Sequence, residues 1–120
     1  MADDARSVGE RYFDAWTAGD FDRARSLVHD DLTFRGPFET FERADDFFVS
    51  LRRVGGGLLK RADKQKVFVD GDDVCVIYDF VAEEPVGASP TVEWYRVRNG
   101  KIGEIQIVFD TRPFAALQQG

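Results

Sequence analysis

Three side chains could do chemistry together: the carboxyls of Asp79 and Glu93, each inside an apolar run, and the phenol of Tyr12 on an apolar stripe. Two carboxyls and a phenol in apolar surroundings make an acid–base site. Burial raises a carboxyl pKa, and a like neighbour raises one of the two further. One carboxyl can then act as base while the other, kept protonated, donates a hydrogen bond beside the phenol. Each residue also has a plainer reading. Asp79 would pair with Lys64 or Lys66, brought near by the turn at 70–73. Glu93 would be a pocket-edge carboxyl bonded to Tyr12 or solvent, and Tyr12 a core tyrosine with a satisfied hydroxyl.

The remaining reactive residues read as structural. His29, beside Asp30-Asp31, sits at a helix end where an imidazole suits the helix dipole. Cys75 lies in a β-run and reads as a small buried hydrophobe. Asp110, ahead of Thr111-Arg112-Pro113, reads as fixing a turn. One His and one Cys are too few soft ligands for a structural zinc site. Gly55-Gly56-Gly57 follows a helical pattern, with no Lys-Ser/Thr pair after it, so it is no phosphate loop. Neither a metal nor a cofactor is expected.

The elements that must hold such a site fit one domain, residues 1–120. Sixteen Lys+Arg against 22 Asp+Glu, a net charge of −6, argue against nucleic acid. No apolar run approaches the roughly 20 residues of a membrane span. Met1-Ala2-Asp3-Asp4 lacks the basic and apolar regions of a signal peptide, and Cys75 is alone, so a cytoplasmic protein is expected. Aromatic residues make up 13% of the chain and eleven of them are Phe, which implies a large aromatic core or an apolar cavity.

Residues 4–18 place Ala5, Val8, Tyr12, Ala15 and Trp16 at helical spacing. Gly19 is a stop, and Asp20 an N-cap for a short helix with Phe21, Ala24, Leu27 and Val28 on one face. Residues 32–35 form a strand ended by Gly36-Pro37. A helix over 43–54 shows Ala44, Phe47, Phe48, Leu51 and Val54, and the glycine triplet ends it. Strands follow at 67–69, 74–81, 92–97 and 102–109, with a turn at 70–72 and a loop over 83–90. Asn99-Gly100 signals a hairpin. A three-residue loop, 99–101, opposes Tyr95 with Ile105 and Glu93 with Ile107, keeping Ile105, Ile107 and Phe109 on one face. The class is α+β, with helices first and then a curved antiparallel sheet.

The segments "RYFDAWTAGDFDRARSLVHDDLTFRGPF" and "VEWYRVRNGKIGEIQIVFD", with the helix between them, resemble the SnoaL-like branch of the nuclear-transport-factor-2-like superfamily, over about residues 5–117. The resemblance implies a cone of sheet and helices around one deep, mostly apolar pocket. That fold hosts isomerases, cyclases, hydrolases, dehydratases and binding subunits alike. Similarity to ketosteroid isomerases places their oxyanion-hole tyrosine at Tyr12, their protonated acid at Glu93 and their general base at Gly36, which has no proton acceptor. Similarity to limonene epoxide hydrolases places their Arg-x-Asp motif on Ile77-Tyr78-Asp79 and their second carboxylate on Ile107.

In such a cone, Asp79 and Glu93 are expected on one concave face near Tyr12. Trp16, Phe34, Phe48, Tyr95, Ile107 and Phe109 are expected as pocket wall or core. The opposite face would carry Val74, Val76, Tyr78, Phe80, Val92, Trp94 and Val108, too apolar to stay wet. It would form a sheet-to-sheet homodimer anchored by Tyr78, Phe80 and Trp94. The expected activity is cofactor-free acid–base chemistry on a hydrophobic small molecule: isomerisation, ring closure or dehydration of a carbonyl compound. Asp79 would be the base, with Glu93 and Tyr12 polarising the carbonyl. The alternative is a non-catalytic small-ligand-binding or dimeric interaction domain.

Overall fold

A computed structural model describes residues 4–118; Met1-Ala2-Asp3, read above for a leader, lies outside them. No helix among the described residues is long and apolar enough to cross a membrane. Helix α1 (Ala5–Thr17) is capped by Asp4, whose side chain accepts from the Ser7 N–H at 2.7 Å. Gly19 closes it at φ 82°, and Asp20 then caps α2 (Phe21–Ser26) by accepting from the Arg23 N–H at 3.2 Å. Both turns behave as the sequence indicates.

The chain continues as β1 (Val28–Arg35), β2 (Thr40–Phe41), α3 (Ala44–Arg53), β3 (Arg61–Asp70), β4 (Asp73–Val81), β5 (Ala88–Arg98) and β6 (Lys101–Phe109). A 3₁₀ turn, Arg112–Phe114, and a last helical turn, Ala115–Gln118, follow. The six strands make one curved, unclosed sheet in the order β2-β1-β6-β5-β4-β3, and the fold is α+β. The sheet is mixed, not antiparallel throughout. β1 runs parallel to β6, with Phe34 beside Ile105, and the Ile102 N–H donates to the Leu27 carbonyl at 2.9 Å. Hairpin signals report neighbours in sequence, and this pairing joins strands separated by most of the chain.

Three local expectations are revised. The glycine triplet does not end the third helix, which winds on as a π-helix over Val54–Leu58, closed by the Leu59 N–H on the Val54 carbonyl at 2.9 Å. Gly55 is needed there because a Cβ would stand 2.9 Å from Phe21 Cζ. His29 lies inside β1, not at a helix end, and its Nε2 meets the Arg98 carbonyl at 2.7 Å. At the last hairpin, Asn99 (φ 50°) and Gly100 (φ 78°) form a two-residue turn that pairs Arg98 with Lys101. The pairs Tyr95–Ile105 and Glu93–Ile107 still form, because a bulge at Gly103 takes up the extra residue. The register is as expected; the device that sets it is not.

The larger correction concerns β4. Val76 pairs with Glu93, and Val74, Val76, Tyr78 and Phe80 are buried on the concave face under α1, where the Phe13 and Tyr78 rings meet edge to face at 4.8 Å. Asp79 therefore lies on the opposite face, half-buried, where it accepts from Gln65 Nε2 at 3.4 Å. Lys64 turns instead to Asp14, at 3.0 Å. β4 carries apolar residues on both faces, and a slip of one residue in its pairing inverts every side chain.

α1 packs closely on this sheet through Gly9, where a Cβ would stand 2.9 Å from Val74 Cγ1 and 3.2 Å from Tyr95 Cδ2. Gly9→Ala should therefore destabilise the fold by roughly 1 kcal/mol, overpacking of about 1–3 kcal/mol outweighing up to about 1 kcal/mol of helix propensity. Urea unfolding should show a lower midpoint with an unchanged slope; an unchanged or higher midpoint would contradict the close packing.

Candidate functional site

β5 alternates buried and exposed residues, and this places Thr91, Glu93 and Tyr95 inward. Glu93 is 4% exposed. Its two oxygens are taken by phenols: Tyr78 Oη donates to Oε2 at 2.5 Å, and Tyr95 Oη donates to Oε1 at 2.6 Å. Tyr78 comes from β4 and Tyr95 from β5, two residues along from Glu93, so the concave pleat alone brings all three together. α1 adds Tyr12 and Trp16, four residues apart and so on one helix face. The Tyr12 ring meets that of Tyr95 edge to face at 5.1 Å, and its hydroxyl makes no hydrogen bond to a described residue. The buried Trp16 indole N–H has no partner of hydrogen-bond geometry, yet lies near enough to Glu93 to favour its charged form.

Burial pushes the Glu93 carboxyl above its ordinary pKa, and the donors Tyr78, Tyr95 and Trp16 pull it only part of the way back. Burial likewise holds the Tyr12, Tyr78 and Tyr95 hydroxyls well above the usual phenol range, with the Glu93 charge adding to it. The phenols therefore stay protonated donors, and the carboxyl is held toward its protonated form by burial.

The cluster forms the floor of an apolar cavity of about 160 Å³. Tyr12, Trp16, Tyr78 and Glu93 line it from below, with Phe34, Ile107 and Phe109 on its wall. Of the expected pocket residues, Phe48 and Tyr95 do not line it. Phe48 is buried against Phe47, and Tyr95 sits behind Glu93 as a donor. Asp79 does not line it either. Tyr78 and Phe80, expected on the outer face, are cavity wall. Tyr78 is the residue that sequence reasoning missed: the strand period groups it with Val76 and Phe80, but only the pairing of Val76 with Glu93 turns that group inward. Glu39 and Ser50, which the sequence does not single out, also line the cavity. Cys75 is half-buried and shifted upward by burial, and Asp110 accepts from the Arg112 N–H at 3.0 Å, a turn contact as expected.

The raised Glu93 pKa has a consequence for stability. Above about pH 4.3, where a free glutamate titrates, the unfolded chain releases the proton that native Glu93 still holds. The native state then binds more protons, so stability falls as pH rises until the folded pKa is passed. Glu93→Gln cannot titrate and should lack this component. Urea midpoints at about pH 5 and about pH 8 should differ more in the wild type than in Glu93→Gln; equal differences would refute the raised pKa.

The model of the SnoaL-like domain matches residues 9–105. No curated protein matches the chain. Among solved structures, a protein from Kribbella flavida is 27% identical, with a TM-score of 0.86 over 96% of this chain and 97% of that one. An NTF2-like protein of unknown function from Cytophaga hutchinsonii is 23% identical, with a TM-score of 0.80 over 92% and 94%. An LEH-like epoxide hydrolase from M. tuberculosis is 21% identical, with a TM-score of 0.75 over 97% and 90%. The last two likenesses are of fold alone. The family model covers most of the chain, the sheet and helices agree with it, and the chain belongs to the SnoaL-like domain family of the NTF2-like fold.

Proposed function

We propose that this protein is a cofactor-free acid–base enzyme, of isomerase, cyclase or dehydratase type, acting on a small hydrophobic carbonyl compound. One observation carries the reading: a titratable carboxyl, Glu93, buried at the floor of an apolar cavity beside a Tyr12 hydroxyl that bonds to no described residue. A buried acid with a raised pKa is costly to keep in a core, and such groups cluster at reactive sites. A carbonyl oxygen entering the cavity would meet Tyr12 as hydrogen-bond donor in surroundings that strengthen the bond. In this reading Glu93 and Tyr12 polarise the carbonyl. Asp79, on the far face of the sheet, is not part of this proposal.

A second reading rests on a different observation. Both Glu93 oxygens are already satisfied by Tyr78 and Tyr95, as they would be in a binding protein whose carboxyl serves only to brace the floor. Phenol binding tests the first reading, because a phenolate places an oxyanion on an apolar ring as an enolate does. The protein should bind 4-nitrophenol with its phenolate absorbance enhanced, and Tyr12→Phe should weaken binding by about tenfold, one charge-assisted hydrogen bond. Binding that is indifferent to both Tyr12→Phe and ionisation of the phenol favours the brace.

The partner that the outer face fits is a second copy of this chain. With Tyr78 and Phe80 inside, that face is formed by Phe68, Cys75, Ile77, Val92, Trp94 and Val108, in adjoining cross-strand rows. Phe68 is 55% exposed, Val108 56% and Trp94 38%. Only Trp94 of the three expected anchors remains, held by Asp73, which accepts from its indole N–H at 2.8 Å. Gel filtration at micromolar concentration should give a dimer that Val108→Glu converts to monomer; a wild-type monomer would end this proposal. The cytoplasm is the compartment we propose for it.

A further inference from the structure

The reading above assigns a donor for the substrate oxygen but no group that takes a proton from carbon. The turn between β1 and β2 supplies one. It comprises residues 36–39 and is closed by the Gly36 N–H, which donates to the Glu39 carbonyl at 2.9 Å. Position 36 itself leaves no room for a side chain, because a Cβ there would stand 2.9 Å from Ile107 Cγ2 and 3.2 Å from Phe34 Cε1. The carboxylate that the turn does carry is Glu39, and it lines the cavity. Ser50 on α3, also a lining residue, donates to Glu39 Oε2 at 2.6 Å. That bond fixes the carboxylate from one side, and Oε1 has no partner among the described residues. Phe38 anchors the turn between the Phe109 and Phe114 rings, at 5.6 and 6.4 Å.

Two carboxyls of opposite character thus serve one cavity. Glu93 is buried at the floor with both oxygens occupied; Glu39 is solvent-exposed, with one oxygen bonded to no described residue. Phe34, Phe47 and Ile107 line the cavity with them. The volume, about 160 Å³, limits what fits: a buried apolar cavity of roughly 150 Å³ takes one benzene ring.

Resting on the acid–base reading, we propose that Glu39 is the proton acceptor of this site, and that its substrate is a one-ring ketone or enone with its oxygen at Tyr12 and an adjacent C–H at Glu39. The step balances without an oxidant or a second reactant. Glu39 Oε1 takes the proton from the carbon beside the carbonyl. The C–H electron pair becomes the new C=C bond, and the carbonyl π pair moves onto oxygen, where the charge is held by the Tyr12 hydroxyl. Glu39 trades that proton with solvent and returns the solvent's to the same carbon, which completes exchange, or delivers its proton to the far end of a conjugated system, which completes isomerisation. Either restores the carboxylate.

Proton exchange tests this without knowledge of the natural substrate. Cyclohexanone in D₂O, followed by NMR, should exchange its α-protons faster with the protein than with buffer. Glu39→Gln should remove about a hundredfold or more of that acceleration, the ordinary range for a general base, while Glu39→Asp keeps part of it. Binding is read separately from Trp16 emission in a Trp94→Phe background, since Trp94 lies on the outer face. Cyclohexanone should still shift that emission in Glu39→Gln. Exchange at the wild-type rate in Glu39→Gln, with Tyr12→Phe still slowing it, overturns the role of Glu39 and leaves the acid–base reading standing. Loss of binding together with exchange in Glu39→Gln makes Glu39 a binding group and overturns its role as base. No acceleration by the wild type overturns both, and a four-ring ketone exchanging as fast as cyclohexanone overturns the one-ring limit.

Discussion

The burial of one carboxyl organises this molecule. Glu93 sits where a charge would be expensive, and the fold answers with two phenols from neighbouring strand positions and an indole from the covering helix. Those three aromatics are also the packing between sheet and helix: Tyr78 meets Phe13 at 4.8 Å and Trp16 at 6.4 Å, and Tyr95 meets Tyr12 at 5.1 Å. The polar network and the aromatic core are the same residues. A change that disturbs one must disturb the other, so the orientation of α1, the pleat of β4 and β5 and the floor of the cavity are set together.

Much of this was legible in the sequence, though unevenly. Helix ends were readable because caps are local: Asp4, Gly19 and Asp20 act within a few residues of themselves. Glu93 was readable because a lone acid in an alternating strand must be either outward or special, and its register against Ile107 follows from the apolar face of β6. Asp79 failed for the converse reason. β4 offers Val74, Val76, Tyr78 and Phe80 on one face and Cys75, Ile77 and Val81 on the other, so periodicity has no preferred side. The side was decided by pairing with β5 and the cover of α1, neither of which is local.

Glu39 illustrates a different blind spot. Nothing in its neighbourhood, Gly36-Pro37-Phe38-Glu39-Thr40, departs from an ordinary exposed turn, and burial gives it no distinction. Only the approach of Ser50 from α3, eleven residues on, shows the carboxylate held against the cavity. Groups that act at the rim of a site stay wet, and wet acids look alike in sequence. The aromatic surplus was easier to resolve. Phe34, Phe47 and Phe109 share the cavity wall, Phe13 and Phe48 pack the core, and Phe68 lies outside. It built both a core and a cavity.

The parallel seam between β1 and β6 also dictates an order of events. β1 has only the two-residue β2 on its other side, so its stable neighbour is the last strand of the sheet. β3, β4, β5 and β6 can zip together through successive antiparallel pairs, each joined to the next in sequence, whereas β1 must wait for a partner some seventy residues further along. During synthesis the N-terminal third therefore emerges with one strand edge open, and it stays open until β6 leaves the ribosome. The sheet closes its oldest strand last.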